Sequence, residues 1–243
     1  MWSVWSETVD VYLGQGVAML KAGAQETIVW RGPATLPLER VLARLADSAA
    51  ASQVILKKGS RLRISLSGAW CPATAVTIPE SVTRWEEVRQ IARASAAKDM
   101  GSDPEQVACE MDAMAWGVSA AVSLAMLHEL ECWATQMRCK LVSVSPLWAI
   151  ATQSSLSRRR STKSLLVKEP DAATLVSCNG KGGFRAVTWP GDMDGSALQA
   201  HSRQWLLGQG QDGSGLLSLG FGVDVHPRMA AGPVRWSGHW YGE

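Results

Sequence analysis

Tyrosine and phenylalanine are scarce in this sequence, two of each beside twelve tryptophans in 243 residues. With 47% hydrophobic residues the chain can still build one large core or two smaller ones. Tryptophan is therefore expected at core and half-buried positions, or else, as Trp2, Trp5, Trp236 and Trp240 near the two ends, as a contact surface. Excess charge of one sign is lacking as well: a formal net charge of +2 argues against a nucleic-acid footprint spread over the surface. No run reaches the roughly eighteen apolar residues of a membrane span. The most hydrophobic stretch, residues 113–127, is interrupted by Gly117 and two serines and ends at His128-Glu129, which predicts a buried strand and a following helix. The first ten residues hold Glu7 and Asp10 and no basic region before an apolar core, so no secretory leader is expected. The five cysteines form no CxxC pair and are odd in number, the pattern of reduced thiols in a cytosolic protein, and no metal site is expected. GxSxG, the Walker P-loop and HExxH are all missing, and no nucleophile stands beside a base. His128 next to Glu129 reads as solvated helix polarity, and Asp192 with Asp194 as turn chemistry.

What is present begins at residues 61–80, RLRISLSGAWCPATAVTIPE, where an apolar strand runs into a Gly-Ala-Trp corner and a second extended run stops at Pro79. Thr83-Arg-Trp-Glu86 then has the spacing of a capping box. Trp85, Val88, Ile91 and Ala92 follow at helical intervals. Downstream, the helical run LHELECWATQMRCK feeds LVSVSPL from Leu141 to Leu147. This ordered set, over residues 61–151, resembles the cytoplasmic actin-like domains of the L-type (GspL-like) and M-type (PilM-like) proteins of type II secretion and type IV pilus assembly.

The organisation of the chain agrees with that resemblance. Runs at 9–13 and 17–21 flank Gly14-Gln-Gly16, a tight turn, and a third run covers 26–31. A helix over 37–52 places Leu38, Val41, Leu42, Leu45 and Ala49 on one face. After a polar stretch the same order returns: strands at 164–168, 173–178 and 184–189, a helix at 196–207 and a strand at 215–219. The expected fold is α/β, with duplicated ribonuclease H-like (actin-like) lobes and the second abbreviated. Residues 1–151 form the first lobe, 152–163 a polar basic linker, and 164–243 a smaller lobe with an irregular tail.

Actin-fold ATPases hold a nucleotide between the lobes, one glycine-containing hairpin from each presenting amides to the phosphates and an acidic residue organising magnesium. The resemblance assigns that place here to Asp10, Gly14 and Gly16 in the first lobe, Asn179 and Gly180 in the second, and Gly220 near an adenosine loop. The residues also read as ordinary hairpin turns. Asp10 stands four residues before Gly14, Val17 replaces a hydroxyl residue, and Ser177-Cys-Asn-Gly180 has no acid, so no cofactor is expected, with ATP and magnesium as the alternative. Arg158, Arg159, Arg160 and Lys163 form a basic cluster, either a solvated linker or a surface for anionic lipid or an acidic partner. The resemblance implies a non-catalytic scaffold under the inner membrane that binds the cytoplasmic segment of a bitopic platform protein, and in some members the assembly ATPase. An ATP-binding member of the actin and sugar-kinase group, and a free-standing regulatory or ligand-binding α/β protein, are the alternatives.

Overall fold

In the computed structural model, residues 7–22, 28–51, 56–111, 117–156, 164–178, 183–213 and 215–221 are described. Every residue of β1 (Thr8–Gly14) from Val9 onward is buried, on both faces of the strand, the property of a central strand rather than an edge. It is followed by β2 (Val17–Ala22), β3 (Ile28–Arg31), α1 (Leu38–Ala51) and β4 (Arg61–Leu66). An insertion of β5 (Ala73–Ala75), α2 (Trp85–Asp99), a 3-10 turn at Pro104–Gln106, β6 (Val107–Glu110) and β7 (Val118–Ser123) comes next. The chain returns through α3 (Leu124–Gln136), β8 (Lys140–Pro146) and α4 (Leu147–Leu156). The second unit is β9 (Ser164–Lys168), β10 (Ala172–Cys178), β11 (Phe184–Pro190), α5 (Gly195–Gly208) and β12 (Leu216–Gly220).

Strand order is β3-β2-β1-β4-β8 in the first sheet and β11-β10-β9-β12 in the second. In each unit the first strand pairs antiparallel with the second and parallel with the strand that follows the helix. The βββαβ order thus folds twice into the same topology, that of duplicated ribonuclease H-like lobes. The insertion makes a third, antiparallel sheet, β5-β7-β6.

Each main sheet packs a face against helices. In the first, Val9, Val11, Leu13, Leu20, Leu62 and Ile64 meet the apolar face of α1 and Leu130, Trp133 and Ala134 of α3. The five α1 residues expected on one face are the buried ones. In the second, Leu166, Ala173 and Leu175 pack on Leu198 and Leu206 of α5. The opposite face, with Leu165, Val167, Val176 and Ala186, packs on Trp148 of α4 and on Ala73 and Val118 of the insertion. The tryptophans divide: Trp133 and Trp148 are core, Trp30 and Trp70 lie against it half-buried.

Two local expectations change. α2 starts one residue late for a capping box: Arg84 is the N-cap, without a side-chain cap bond, and Glu86 and Glu87 lie in the first turn, where they complement the helix dipole instead. α4 continues to Leu156, past the expected linker start at 152, with the Thr152 hydroxyl donating to the Trp148 carbonyl at 2.6 Å within the helix. Residues 157–163 lie outside the described residues.

Candidate functional site

The parallel pairing of β1 with β4 and of β9 with β12 aims two hairpins at one another, β1–β2 from the first lobe and β9–β10 from the second. Gly14 and Gly16 form the first turn. Gly16 takes a left-handed φ of +75° and its carbonyl accepts from the Gly32 amide at 2.9 Å. The facing turn is Glu169-Pro170-Asp171.

The two turns touch through carboxylates. Asp171 Oδ2 accepts the Gln15 amide at 2.5 Å and the Ser67 hydroxyl at 2.8 Å. Glu169 Oε1 accepts the Gly68 amide at 3.1 Å. Tyr12, fully buried on β1, places its hydroxyl 3.0 Å from Asp171 Oδ1 and 3.2 Å from Glu169 Oε2. A Cβ on Gly14 would lie 2.8 Å from Asp171 Oδ2, so only glycine lets the two hairpins approach this closely.

A phenol has one proton to donate and here meets two carboxyl groups. Both contacts are satisfied when one carboxyl is protonated and donates back to the phenol oxygen. Of the two, Glu169 is the one that burial, and then the charge of Asp171, push well above the usual carboxylate range, which favours its protonated form. Asp171 is also raised by burial, but its three donors, Gln15, Ser67 and Tyr12, pull the other way and suit the anion. Burial and the two acids raise the Tyr12 hydroxyl well above its ordinary value, which keeps it a donor.

Around this cluster the lobes are packed shut. Phe221, just after β12, packs its ring against Tyr12 at a centroid distance of 4.5 Å, the planes tilted by 50°, and joins Val17, Met19 and Leu147 in an interlobe apolar cluster. Burying one such ring is worth about 1.5–3 kcal/mol. Trp148 Nε1 donates to the Cys71 carbonyl at 2.8 Å, and the Ala73 amide donates to the Thr188 hydroxyl at 3.0 Å, tying the insertion to α4 and to β11.

The sequence-based candidates fall differently from their expected grouping. Gly14 and Gly16 are at the cleft turn. Asp10 is four residues back along β1, opposite Lys21, and its carboxylate is held by Arg63 at 2.7 and 3.1 Å, an ion pair within the sheet rather than a group aimed into the cleft. Gly220 closes β12 and leads into Phe221, whose side chain takes the space beside Tyr12. Asn179, Gly180, Arg158, Arg159, Arg160 and Lys163 lie outside the described residues. The described second-lobe turn that meets the Gly14 turn is 169–171. Glu169, Asp171, Tyr12, Ser67 and Gly68 were missed. Superposing the two βββαβ units in sequence aligns Glu169-Pro-Asp171 with Gly14-Gln-Gly16, and that was the available signal.

Away from the cleft, Cys132 Sγ lies 3.5 Å from His128 Nε2 on the exposed side of α3, a thiol beside an imidazole one helical turn away. Among the described residues no group of three or more His, Cys, Asp or Glu is arranged to hold a metal ion, and no helix is long and apolar enough to cross a membrane.

No protein-family model matches the sequence, and no curated protein does. Solved structures do match in fold. A protein of Bacteroides thetaiotaomicron described as having an actin-like ATPase fold and unknown function aligns over 90% of this chain and 83% of its own, with a TM-score of 0.58 and 9% identity. The cytoplasmic domain of EpsL, an inner-membrane component of the type II secretion system of Vibrio cholerae, aligns over 93% and 87%, with a TM-score of 0.55 and 12% identity. A chain of the PilM–PilN type IV pilus biogenesis complex aligns over 84% and 68%, with a TM-score of 0.52 and 11% identity. The fold is the actin-like fold shared by these proteins.

Proposed function

We propose that this chain is a non-catalytic actin-like scaffold of the inner-membrane assembly platform of a type IV pilus or type II secretion system. In this reading it binds the cytoplasmic segment of a membrane-anchored partner protein and has the assembly ATPase as a second neighbour. The fold it shares with EpsL and with the PilM–PilN complex supports the setting. The observation that carries the non-catalytic part is the Gln15 amide bonded to Asp171.

The residues present do not fit the phosphates of a nucleotide. The Gln15 amide of the first hairpin and the Gly68 amide after β4 are engaged by the chain's own carboxylates, and a phosphate brought there would meet Asp171 and Glu169 rather than these amides. Asp10, the acid assigned to magnesium by resemblance, is committed to Arg63. The apolar cluster of Tyr12, Leu147 and Phe221 also works against the domain closure on which nucleotide-driven members of such folds depend.

The test is co-expression with the cytoplasmic segments of membrane proteins encoded beside this chain, followed by pull-down in detergent-free, lipid-free buffer. Co-purification of one such segment at a fixed stoichiometry is expected. Failure of every neighbouring segment, with a monomeric chain left behind, favours a free-standing α/β ligand binder.

A further inference from the structure

α3 is fastened to the first sheet by Leu130, Trp133 and Ala134, so its other side faces outward. Two metal-ligating side chains stand on that outer side, His128 and Cys132, both exposed. They are four residues apart, the interval that stacks two side chains one turn from each other on a single helix face. Cys132 Sγ lies 3.5 Å from His128 Nε2, and among the described residues neither side chain has another hydrogen-bond partner.

Three observations single this pair out. Cysteine is among the most buried residue types, and Cys71, Cys109, Cys139 and Cys178 obey that rule by being buried or half-buried, whereas Cys132 is exposed. The separation is that of a chelate: a tetrahedral zinc ion, with Zn–S about 2.3 Å and Zn–N about 2.05 Å, holds its sulfur and nitrogen about 3.5 Å apart, and Cys132 and His128 already stand at that distance. Local charge favours a cation, since the exposed acids Glu129 and Glu131 flank the pair. The contact between thiol and imidazole holds both side chains in these rotamers, so little side-chain freedom is left to lose when an ion binds.

We propose that His128 and Cys132 form a surface site for a tetrahedral, thiophilic divalent metal ion of the zinc class, with the remaining coordination positions left to water. Binding exchanges a proton for the metal. The Cys132 S–H bond breaks, the thiolate electron pair forms the bond to the ion, Nε2 of neutral His128 supplies a second lone pair, and one proton leaves to solvent, so affinity rises with pH. Two protein ligands make an open site rather than the closed four-ligand site of a structural zinc, which is why cysteine motifs in the sequence point to no metal. Glu129 and Glu131 contribute charge and not ligation, because among the described residues no third His, Cys, Asp or Glu is arranged with the pair. The site shares no residue with the interlobe cleft and does not rest on the scaffold reading.

The experiment is titration of the full, tag-free, reduced chain with Co²⁺, whose thiolate complexes absorb strongly and whose tetrahedral sites are coloured, followed by displacement with Zn²⁺. A thiolate-to-cobalt band is expected to saturate at one ion per chain, to bleach on adding zinc, and to grow with the release of one proton per ion. His128→Ala and Cys132→Ser change exposed helix positions and keep the fold, which circular dichroism checks. Each is expected to weaken binding by about a hundredfold, the loss that follows when two linked ligands become one. A band that fails to appear, that survives Cys132→Ser, or whose affinity is unchanged in His128→Ala overturns the proposal. The pull-down with neighbouring segments is expected to be indifferent to Cys132→Ser, which keeps the outcome for this site distinct from the outcome for the scaffold.

Discussion

The backbone amide of Gln15 donates to Asp171 Oδ2 at 2.5 Å, across 156 residues of sequence. That bond joins the tip of one lobe's first hairpin to the tip of the other's. It sets a carboxylate of the second lobe against the amide of the first lobe's turn, and much of the testable behaviour of this chain follows from it.

Asp171 should be a structural keystone. Replacing it with Ala leaves the Gln15 amide and the Ser67 and Tyr12 hydroxyls without their acceptor in a buried site, at an expected cost of about 1–3 kcal/mol. Urea unfolding of the wild type and Asp171→Ala measures it. Equal midpoints and slopes would mean that the hairpins do not meet in solution.

Stability should also depend on pH through Glu169. Its carboxyl is raised in the folded protein, mainly by burial, so the folded state keeps a proton that the unfolded chain has already released. Unfolding then releases protons, and this contribution falls as pH rises from the ordinary carboxyl range towards the raised value. The raised Asp171 acts in the same direction. Glu169→Gln keeps an acceptor for the Gly68 amide and a donor for Tyr12 while removing the titration. Thermal unfolding between pH 5 and pH 8 should show the variant gaining on the wild type as pH increases. A constant difference would place the proton elsewhere.

Calorimetric titration with ATP and magnesium should give no binding tighter than about millimolar, equivalent to about 4 kcal/mol. A micromolar constant would promote the ATP-binding alternative. Gly14→Ala, whose Cβ would press on Asp171, is expected to destabilise the fold by about 1–3 kcal/mol and to leave nucleotide behaviour unchanged.

The thiols should react in order of exposure. Cys132 is exposed, with His128 at 3.5 Å, and should take up a disulfide reagent first. Cys71 should react last: it is buried and its thiol is pushed up to about 12 by that burial. Mass spectrometry of partially labelled protein reads the order, and early labelling of Cys71 would show that the packing between α4 and the insertion opens readily.

Much of the fold was legible in the sequence because local pattern dictates local structure. The 3.6-residue spacing of Leu38, Val41, Leu42, Leu45 and Ala49 could serve only a helix with one buried face, and α1 buries those side chains. Strands bounded by glycine turns in the order βββαβ, repeated, left few topologies in which both lobes could bury their apolar faces. Helix starts were less legible: at α2 the choice between Thr83 and Arg84 as N-cap turns on where the incoming chain can run, which spacing does not encode.

The cleft was decided by tertiary structure. Glu169-Pro-Asp171 reads in sequence as a solvated turn, since acids and proline are ordinary turn residues. Only the meeting of the lobes buries both carboxyls, brings them to one phenol and gives them the amides of Gln15 and Gly68. Arg61 and Lys140 likewise become neighbours only when β4 and β8 pair. Strand and helix identity depends on residues a few positions apart, which sequence holds directly. Protonation and surface charge depend on groups brought within a few ångströms by folding, where Coulomb energy and desolvation act through space and not along the chain.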